Sequence, residues 1–140
     1  MNQISAEDRN RLCRAAREVA AHSYSPYSGF RVGAAVYDGS KIYVGTNVEN
    51  SSYGLALCAE RAALCNAIAS GAKEITAIAI VCIDAKQDSS ISESVPCGAC
   101  RQWIAELSPQ ASIIICGQEE SFSIQDLLPF PFSIQKSVSG

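Results

Sequence analysis

Residues 58–83 read CAERAALCNAIASGAKEITAIAIVCI, and this stretch predicts a helix followed by a buried strand. Alanine and leucine dominate residues 58–70, and Gly71 is a natural stop at the C-terminal end of such a helix. Residues 75–83 are nearly all apolar, which is typical of a strand that is covered on both faces. A sheet with helices packed on it is therefore expected around this stretch.

The segments on either side continue the alternation of helices and strands. Upstream, the spacing of apolar residues predicts a helix at 5–22 with Ser5 as its N-cap. A hairpin follows, with strands at 30–36 and 41–45 and a turn at Asp38-Gly39. Downstream, the pattern predicts a helix at 97–107, a strand at 111–116, a weaker strand at 120–124 and an apolar tail at 127–132 that prolines interrupt. This order predicts an α/β fold of three α/β/α layers, with a mixed five-stranded sheet, in a single domain spanning residues 1–140.

The composition limits the classes of partner. Eleven lysines and arginines against fourteen acidic residues give a net charge of -3, and no basic cluster is present, so we expect no nucleic-acid partner. Without an apolar run of membrane-spanning length or a signal peptide, we expect no membrane partner and a cytoplasmic protein. Seven cysteines, an odd number, then favour reduced thiols or a metal over a disulfide framework.

Three cysteines stand at the starts of two predicted helices. Cys97 and Cys100 are three residues apart and share a helix face, while Cys58 comes from a different element. The positive ends of the helix dipoles would lower the pKa values of these thiols toward the thiolates that zinc requires. Three ligands leave the fourth position of a tetrahedral Zn²⁺ open to a water molecule, which is the arrangement of a catalytic site.

Glu60 is the candidate acid and base beside this water. Residues two apart on a helix do not normally face each other, so Cys58 and Glu60 can meet only if both lie in the opening turn. Three thiolates around Zn²⁺ leave one excess negative charge, which a neighbouring cation would offset. Arg61 and Arg101 each follow a metal-site residue directly, and Arg61 is the favoured candidate.

Structural interpretations compete with each of these roles. The three cysteines would form a purely structural zinc site if a fourth ligand existed, but His22, the only histidine, is expected to be a surface or capping residue. In a structural interpretation, Glu60 only complements the dipole of its helix, and Arg61 is an exposed charge on the helix surface. The remaining cysteines are expected to be inert and buried in apolar segments, namely Cys13, Cys65, Cys82 and Cys116.

Several motifs occur in a specific order along nearly the whole chain. They are PYS at 26–28, FRVGAA at 30–35, GTNVEN at 45–50, CAER at 58–61, PCGACRQ at 96–102 and LLP at 127–129. With these motifs the chain resembles the small, homotetrameric, zinc-dependent cytidine deaminases. The tail departs from the usual small or polar residues, since Phe130 and Pro131 follow LLP.

The resemblance implies a function and a set of site residues. It implies hydrolytic deamination of cytidine and 2′-deoxycytidine to uridine and 2′-deoxyuridine in pyrimidine salvage, with one Zn²⁺ per subunit and water as the second reactant. It assigns the ribose hydroxyls to Asn47 and Glu49, the base to Phe30, and a backbone contact with the base to Ala59. Tyr53 and Phe132 are implied to form a rim that neighbouring subunits share.

Two alternatives remain open at this stage. The first is a deaminase of another amino-heterocycle, such as a nucleoside antibiotic, guanine or deoxycytidylate. Residues 45–53 contain no lysine or arginine to hold a phosphate, which argues against a phosphorylated substrate. The second is a zinc-stabilised interaction module without catalysis, in which Asn47 and Glu49 are turn residues and Phe30 and Tyr53 are core or interface aromatics.

Overall fold

The computed structural model describes residues 1–138 and contains one five-stranded sheet with the strand order β2-β1-β3-β4-β5. Its strands are β1 (Val32–Tyr37), β2 (Ile42–Thr46), β3 (Ala77–Cys82), β4 (Ser112–Ile115) and β5 (Ser121–Phe122). Strand β1 pairs antiparallel with β2 and β3, β3 and β4 are parallel, and β5 is antiparallel to β4. The sheet is therefore mixed, as predicted.

Helices cover both faces of this sheet. They are α1 (Ala6–Ala20), α2 (Ala59–Ala69), α3 (Gly98–Leu107) and the short α4 (Ile124–Leu127). On one face, Leu12 and Ala16 of α1 pack against Ala79 of β3. On the other face, Leu64 of α2 and Ile104 of α3 belong to the cluster around Ile80. Strand β3 is thus buried on both sides, and the predicted three-layer α/β/α architecture is confirmed.

Two glycines set the distance between the sheet and its helices. A Cβ atom added to Gly33 would lie 1.9 Å from the carbonyl oxygen of Ala16 in α1. A Cβ atom added to Gly45 would lie 2.3 Å from the backbone nitrogen of Ala63 in α2. Neither position tolerates a side chain, because backbone atoms occupy the space. The two glycines allow α1 and α2 to approach the sheet from opposite faces.

The ends of the elements differ from the predictions mainly in the last third of the chain. Ser5 caps α1 as expected, since its Oγ accepts a hydrogen bond from the backbone N–H of Asp8 at 3.0 Å. The weak strand predicted at 120–124 shrinks to two residues, because the side chain of Ser123 accepts from the N–H of Asp126 and caps α4. Along residues 1–138, none of the helices combines the length and the apolar character that crossing a membrane requires.

The cysteines outside the metal site differ from their predicted state. Cys13 of α1 and Cys116, which follows β4, form a disulfide with a Cα–Cα distance of 5.7 Å. The predictions of inert thiols and of no disulfide were therefore wrong for this pair. Packing of α1 across the sheet brings together two residues that are 103 positions apart in sequence. Cys65 is a free thiol, but it is exposed on α2 and not buried in the core.

Candidate active site

Two helix N-termini bring three cysteine sulfurs together. Cys58 is the N-cap of α2, Cys97 is the N-cap of α3, and Cys100 lies in the first turn of α3. The Sγ atoms of Cys58 and Cys97 are 3.7 Å apart, and all three sulfurs lie within 4.8 Å of one another. Tetrahedral zinc with Zn–S bonds of about 2.3 Å places its sulfurs about 3.8 Å apart. This donor set therefore fits zinc.

The group that could hold a metal ion offers three protein ligands. Among residues 1–138, the group of potential ligands consists of Cys58, Cys97 and Cys100. His22 is exposed just beyond the end of α1 and does not belong to this group. A three-ligand set leaves the fourth tetrahedral position to a water molecule or a substrate atom, which distinguishes catalytic from structural zinc sites.

An arginine contacts the sulfur of one metal-site cysteine. The Nη2 of Arg61 donates a hydrogen bond to the Sγ of Cys58 at 3.4 Å. Hydrogen bonds from the Cys100 thiol and from Arg61 lower the pKa of Cys58, which favours its thiolate form, while the same contact with Cys58 raises the pKa of Cys100. The other candidate, Arg101, instead donates to the carbonyl oxygens of Pro96 and Leu127. Of the two arginines, Arg61 is the one that lies against the metal-site sulfur.

Glu60 lies in the opening turn of α2, which begins at Ala59, directly after the N-cap Cys58. Cys58 and Glu60 therefore both lie at the start of this helix, as the predicted role of Glu60 requires. Its side chain lines a cavity of about 310 Å³ together with Cys58 and Cys97. Glu60 is only 6% exposed, and burial raises the pKa of its carboxyl group to about 7. A carboxyl group with such a pKa can both accept and donate a proton near neutral pH.

The four residues predicted to contact the substrate within one chain line this same cavity, namely Phe30, Asn47, Glu49 and Ala59. The side chain of Asn47 holds the segment that carries Phe30. Its Nδ2 donates to the carbonyl oxygen of Phe30 at 2.8 Å, and its Oδ1 accepts from the N–H of Val32 at 2.9 Å. The hydroxyl of Ser23 also donates to this Oδ1, so the orientation of the amide is fixed and one of its N–H groups is left for a ligand.

The carboxylate of Glu49 is held by the neighbouring loop. Its Oε1 accepts from the backbone N–H groups of Tyr27 and Ser28 at 3.0 and 3.2 Å, and its Oε2 accepts from the hydroxyl of Ser28. These hydrogen bonds, with the hydroxyl of Ser28 first, lower the pKa of Glu49. The carboxylate is therefore a fixed, ionised acceptor at the cavity wall.

Two predicted rim residues lie outside the cavity of their own chain. Tyr53 is 75% exposed and stands edge-to-face with Tyr27 at 6.0 Å. It lines a surface pocket that adjoins the cavity through Glu49 and Ala56. Phe132 is 74% exposed, and its carbonyl oxygen accepts a hydrogen bond from the Nε2 of Gln102 on α3. A single chain does not bring either ring to the metal-site cysteines. Their assignment to neighbouring subunits stays a prediction.

The sequence did not identify every residue of the cavity wall. Cys82, Glu93 and Ser94 also line it, although Cys82 was expected to be an inert core residue. Burial raises the pKa of Cys82 to about 11, so this thiol is protonated and neutral. Its position at the carboxyl end of β3, a parallel strand, was the available signal, because ligand cavities in α/β sheets form outside such ends.

Comparison with known proteins agrees with this geometry. Residues 6–116 match the family described as the cytidine and deoxycytidylate deaminase zinc-binding region. The chain is 41% identical over 134 residues to a cytidine deaminase of Halalkalibacterium halodurans, with 91% of this chain and 96% of the relative covered. The crystal structure of cytidine deaminase from Burkholderia pseudomallei has a TM-score of 0.76 and 38% identity, covering 92% of this chain and 100% of the other.

The corresponding enzyme structure from Mycobacterium tuberculosis is equally similar. Its TM-score is 0.74 at 37% identity, with 91% of this chain and 98% of that chain covered. The family match spans Cys58, Cys97 and Cys100, and these residues form the group of the structure that could hold a metal ion. On these grounds the chain belongs to the zinc-binding cytidine and deoxycytidylate deaminase family.

Proposed function

We propose that this protein hydrolyses cytidine and 2′-deoxycytidine to uridine and 2′-deoxyuridine with release of ammonia, as a step of pyrimidine salvage. The observation that carries the proposal is the burial of Glu60 beside a three-cysteine metal site, in a cavity whose wall includes Phe30 and Glu49. Zinc, when bound to the three cysteines, supplies Lewis-acid activation of a water molecule. All other steps belong to residues of this chain.

Glu60 moves the protons of the reaction. Its carboxylate accepts a proton from the water that attacks C4 of the cytosine ring and delivers that proton to N3. Glu60 then takes the proton of the new hydroxyl group on C4 and passes it to the exocyclic amine. The C4–N bond breaks, ammonia leaves, and the C4 oxygen becomes the carbonyl group of uracil. The pKa of about 7 supports both directions of transfer, since the carboxyl group gains and loses a proton at similar cost near neutral pH.

Arg61 adjusts the charge of the metal site. Three thiolates exceed the charge of one zinc ion by one unit, which would hold the pKa of an activated water higher than a neutral site would. The guanidinium of Arg61 at 3.4 Å from the Sγ of Cys58 offsets this excess. We therefore assign Arg61 a positioning and charge-balancing role, without contact with the substrate.

The cavity wall supports an unphosphorylated nucleoside as the substrate. The residues that line it include Glu49, Glu60 and Glu93 but no lysine or arginine, so a 5′-phosphate would meet only negative charge. Phe30 offers its aromatic face to the pyrimidine ring, and the backbone of Ala59 offers hydrogen-bonding groups to the edge of that ring. The fixed groups of Asn47 and Glu49 are suited to the ribose hydroxyls. Deoxycytidylate is accordingly the weaker candidate.

Assembly of several copies would complete the site. Tyr53 and Phe132 are large, exposed aromatic residues that do not reach the cavity of their own chain. In a homotetramer, these rings are supplied by neighbouring subunits and close the cavity over the bound base. Sedimentation analysis of the native enzyme tests this part of the proposal, and an active monomer would contradict it.

Replacement of Glu60 by glutamine tests the proposed mechanism. We expect Glu60→Gln to lower kcat by about 10²–10⁴-fold, because general acid–base catalysis typically contributes that much. The rate is followed by the loss of ultraviolet absorbance when cytidine is added. The matched control is Glu74→Gln, which changes an exposed glutamate and should leave the rate unaltered.

The same variant separates catalysis from a structural zinc module. Glu60→Gln should keep one zinc per chain and its thermal stability, so unchanged turnover would exclude Glu60 from the mechanism. Rates with cytidine, 2′-deoxycytidine and their monophosphates identify the substrate class. A preference for a monophosphate would contradict the assignment to free nucleosides.

A further inference from the structure

A second cavity, of about 480 Å³, lies at the carboxyl ends of the parallel strands β3 and β4. The end of β3, the turn at residues 115–118, the loop at residues 85–91 and Arg17 of α1 surround it. It adjoins the active-site cavity of about 310 Å³, with which it shares Ile80, Cys82 and Ser94, but it is larger and contains none of the metal-site cysteines. Crevices outside the carboxyl ends of neighbouring strands are where open α/β sheets bind their ligands.

The charged side chains of this second cavity are all positive. Arg17 and Lys86 line it, and no aspartate or glutamate is among its lining residues. This local excess of two positive charges occurs in a chain whose net charge is -3. Within residues 1–138, neither Arg17 nor Lys86 takes part in an ion pair. Both cations are therefore available to an anionic ligand.

Covalent and polar contacts hold α1 against the rim of this cavity. The Cys13–Cys116 disulfide joins α1 to the residue that follows β4, and Cys116 itself lines the cavity. Arg17 is four residues after Cys13, so it lies on the same face of α1 one turn further along. Arg9, also on α1, donates to the carbonyl oxygen of Gln118 at the rim. These contacts fix the helix that carries Arg17. Ligand binding therefore costs little backbone entropy at this position.

The rest of the lining combines an apolar surface with neutral polar groups. Ile83, Ile91 and Ile115 offer apolar contact. Hydroxyl and amide groups that can donate hydrogen bonds come from Gln87, Ser89, Ser90, Ser94 and Gln118. A phosphate group matches two cations in one cavity better than a carboxylate does, because it carries up to two negative charges and three acceptor oxygens.

We propose that this cavity binds a small phosphomonoester, with its phosphate between Arg17 and Lys86 and its organic part along the isoleucine side chains. The proposal is independent of the reaction assigned to the first cavity. The volume of about 480 Å³ lies in the range of small-molecule sites, which span about 300–1,000 Å³.

Calorimetric titration of the zinc-loaded, full-length protein tests this proposal. The probe is ribose 5-phosphate, and ribose, which lacks the phosphate, is the matched ligand control. We expect ribose 5-phosphate to bind with one site per chain and ribose not to bind. Arg17→Gln and Lys86→Gln should each weaken binding by about tenfold, which is the effect of losing one charged hydrogen bond.

Two further variants locate the binding. Arg14→Gln changes an exposed arginine of the same helix that does not line the cavity, and it should bind ribose 5-phosphate like the wild type. Glu60→Gln should also bind it normally, because the active-site carboxyl is not part of this second cavity. Failure of ribose 5-phosphate to bind, or equal affinity in the Arg17→Gln/Lys86→Gln double variant, would overturn the proposal, whatever the rate of cytidine deamination.

Discussion

Two groups of cysteines in this protein use the same side chain for opposite purposes. Cys58, Cys97 and Cys100 are free thiols whose sulfurs lie within 4.8 Å of one another, at helix N-termini that open into a cavity. Cys13 and Cys116 are oxidised to a disulfide between α1 and the end of β4. The first group is arranged for a metal ion, and the second connects the chain to itself.

The difference lies in what surrounds the sulfur atoms. At the metal site, hydrogen bonds from Cys100 and Arg61 lower the pKa of Cys58, which favours a thiolate ligand. At the disulfide, only two sulfurs meet, and they are bonded to each other. Cysteine count and odd parity therefore say little about chemical state, whereas the number of sulfurs that the fold brings together says a great deal.

Loss of a metal-site cysteine should produce the largest effect. We expect Cys97→Ser to abolish stoichiometric zinc binding and to lower kcat/KM by more than about 10³-fold, since even losing a residue that only orients a ligand costs about 10–100-fold. Metal analysis and the cytidine assay measure the two effects. The control is Cys65→Ser, which changes an exposed thiol of α2. A Cys97→Ser enzyme with full zinc and normal turnover would remove Cys97 from the metal site.

Loss of the disulfide should instead reduce stability and leave turnover intact. The Cys13→Ser/Cys116→Ser variant should lose about 2–5 kcal/mol of unfolding free energy, because the disulfide closes a long loop in the unfolded chain. Urea unfolding of the zinc-loaded proteins without reductant measures this loss, again with Cys65→Ser as the control. Treatment of the wild type with a phosphine reductant should reproduce it. If the oxidised wild type and the variant share one unfolding midpoint, the disulfide does not stabilise the fold.

The sequence predicts the metal site far better than the disulfide, and distance along the chain explains why. Cys97 and Cys100 are three residues apart, so helix geometry places them on one face, and Cys58 and Glu60 lie two residues apart at the start of a single helix. Cys13 and Cys116 are 103 residues apart, and only the packing of α1 on the sheet brings them together. The predicted order of strands and helices was confirmed because hydrophobic periodicity is also local.

Other features depend on contacts that sequence patterns do not encode. The helix α4 was missed because four residues carry too little periodicity, and the cap at Ser123 is visible only in the structure. The sequence predicts Cys82 to be an inert core thiol because its apolar neighbours hide its position at the end of β3. The roles of Tyr53 and Phe132 stay predictions, because a single chain leaves both rings exposed.

When the three effects are compared as free energies, removal of the charge beside the metal should have the smallest one. Arg61→Gln should retain zinc but lower kcat/KM by about 10–100-fold, as is usual when a residue next to a metal ligand is lost. Chelator competition and steady-state rates with cytidine measure both quantities. Arg61→Lys keeps a positive charge and should recover part of the activity. If Arg61→Gln matches the wild type in both measurements, the excess charge of the three thiolates needs no compensation from this arginine.

The close contact at Gly45 has a consequence for the accuracy of the metal site. Gly45 of β2 lies directly against the backbone of Ala63, five residues after Cys58 on α2. Main-chain atoms on both sides define this distance, and main-chain atoms have no rotamers with which to adjust. Core side chains elsewhere can be exchanged with only local repacking, but at Gly45 the backbone of the sheet limits how closely α2 can approach. The position of Cys58, one of the three cysteines that could hold the metal, is thus set by a residue outside that group.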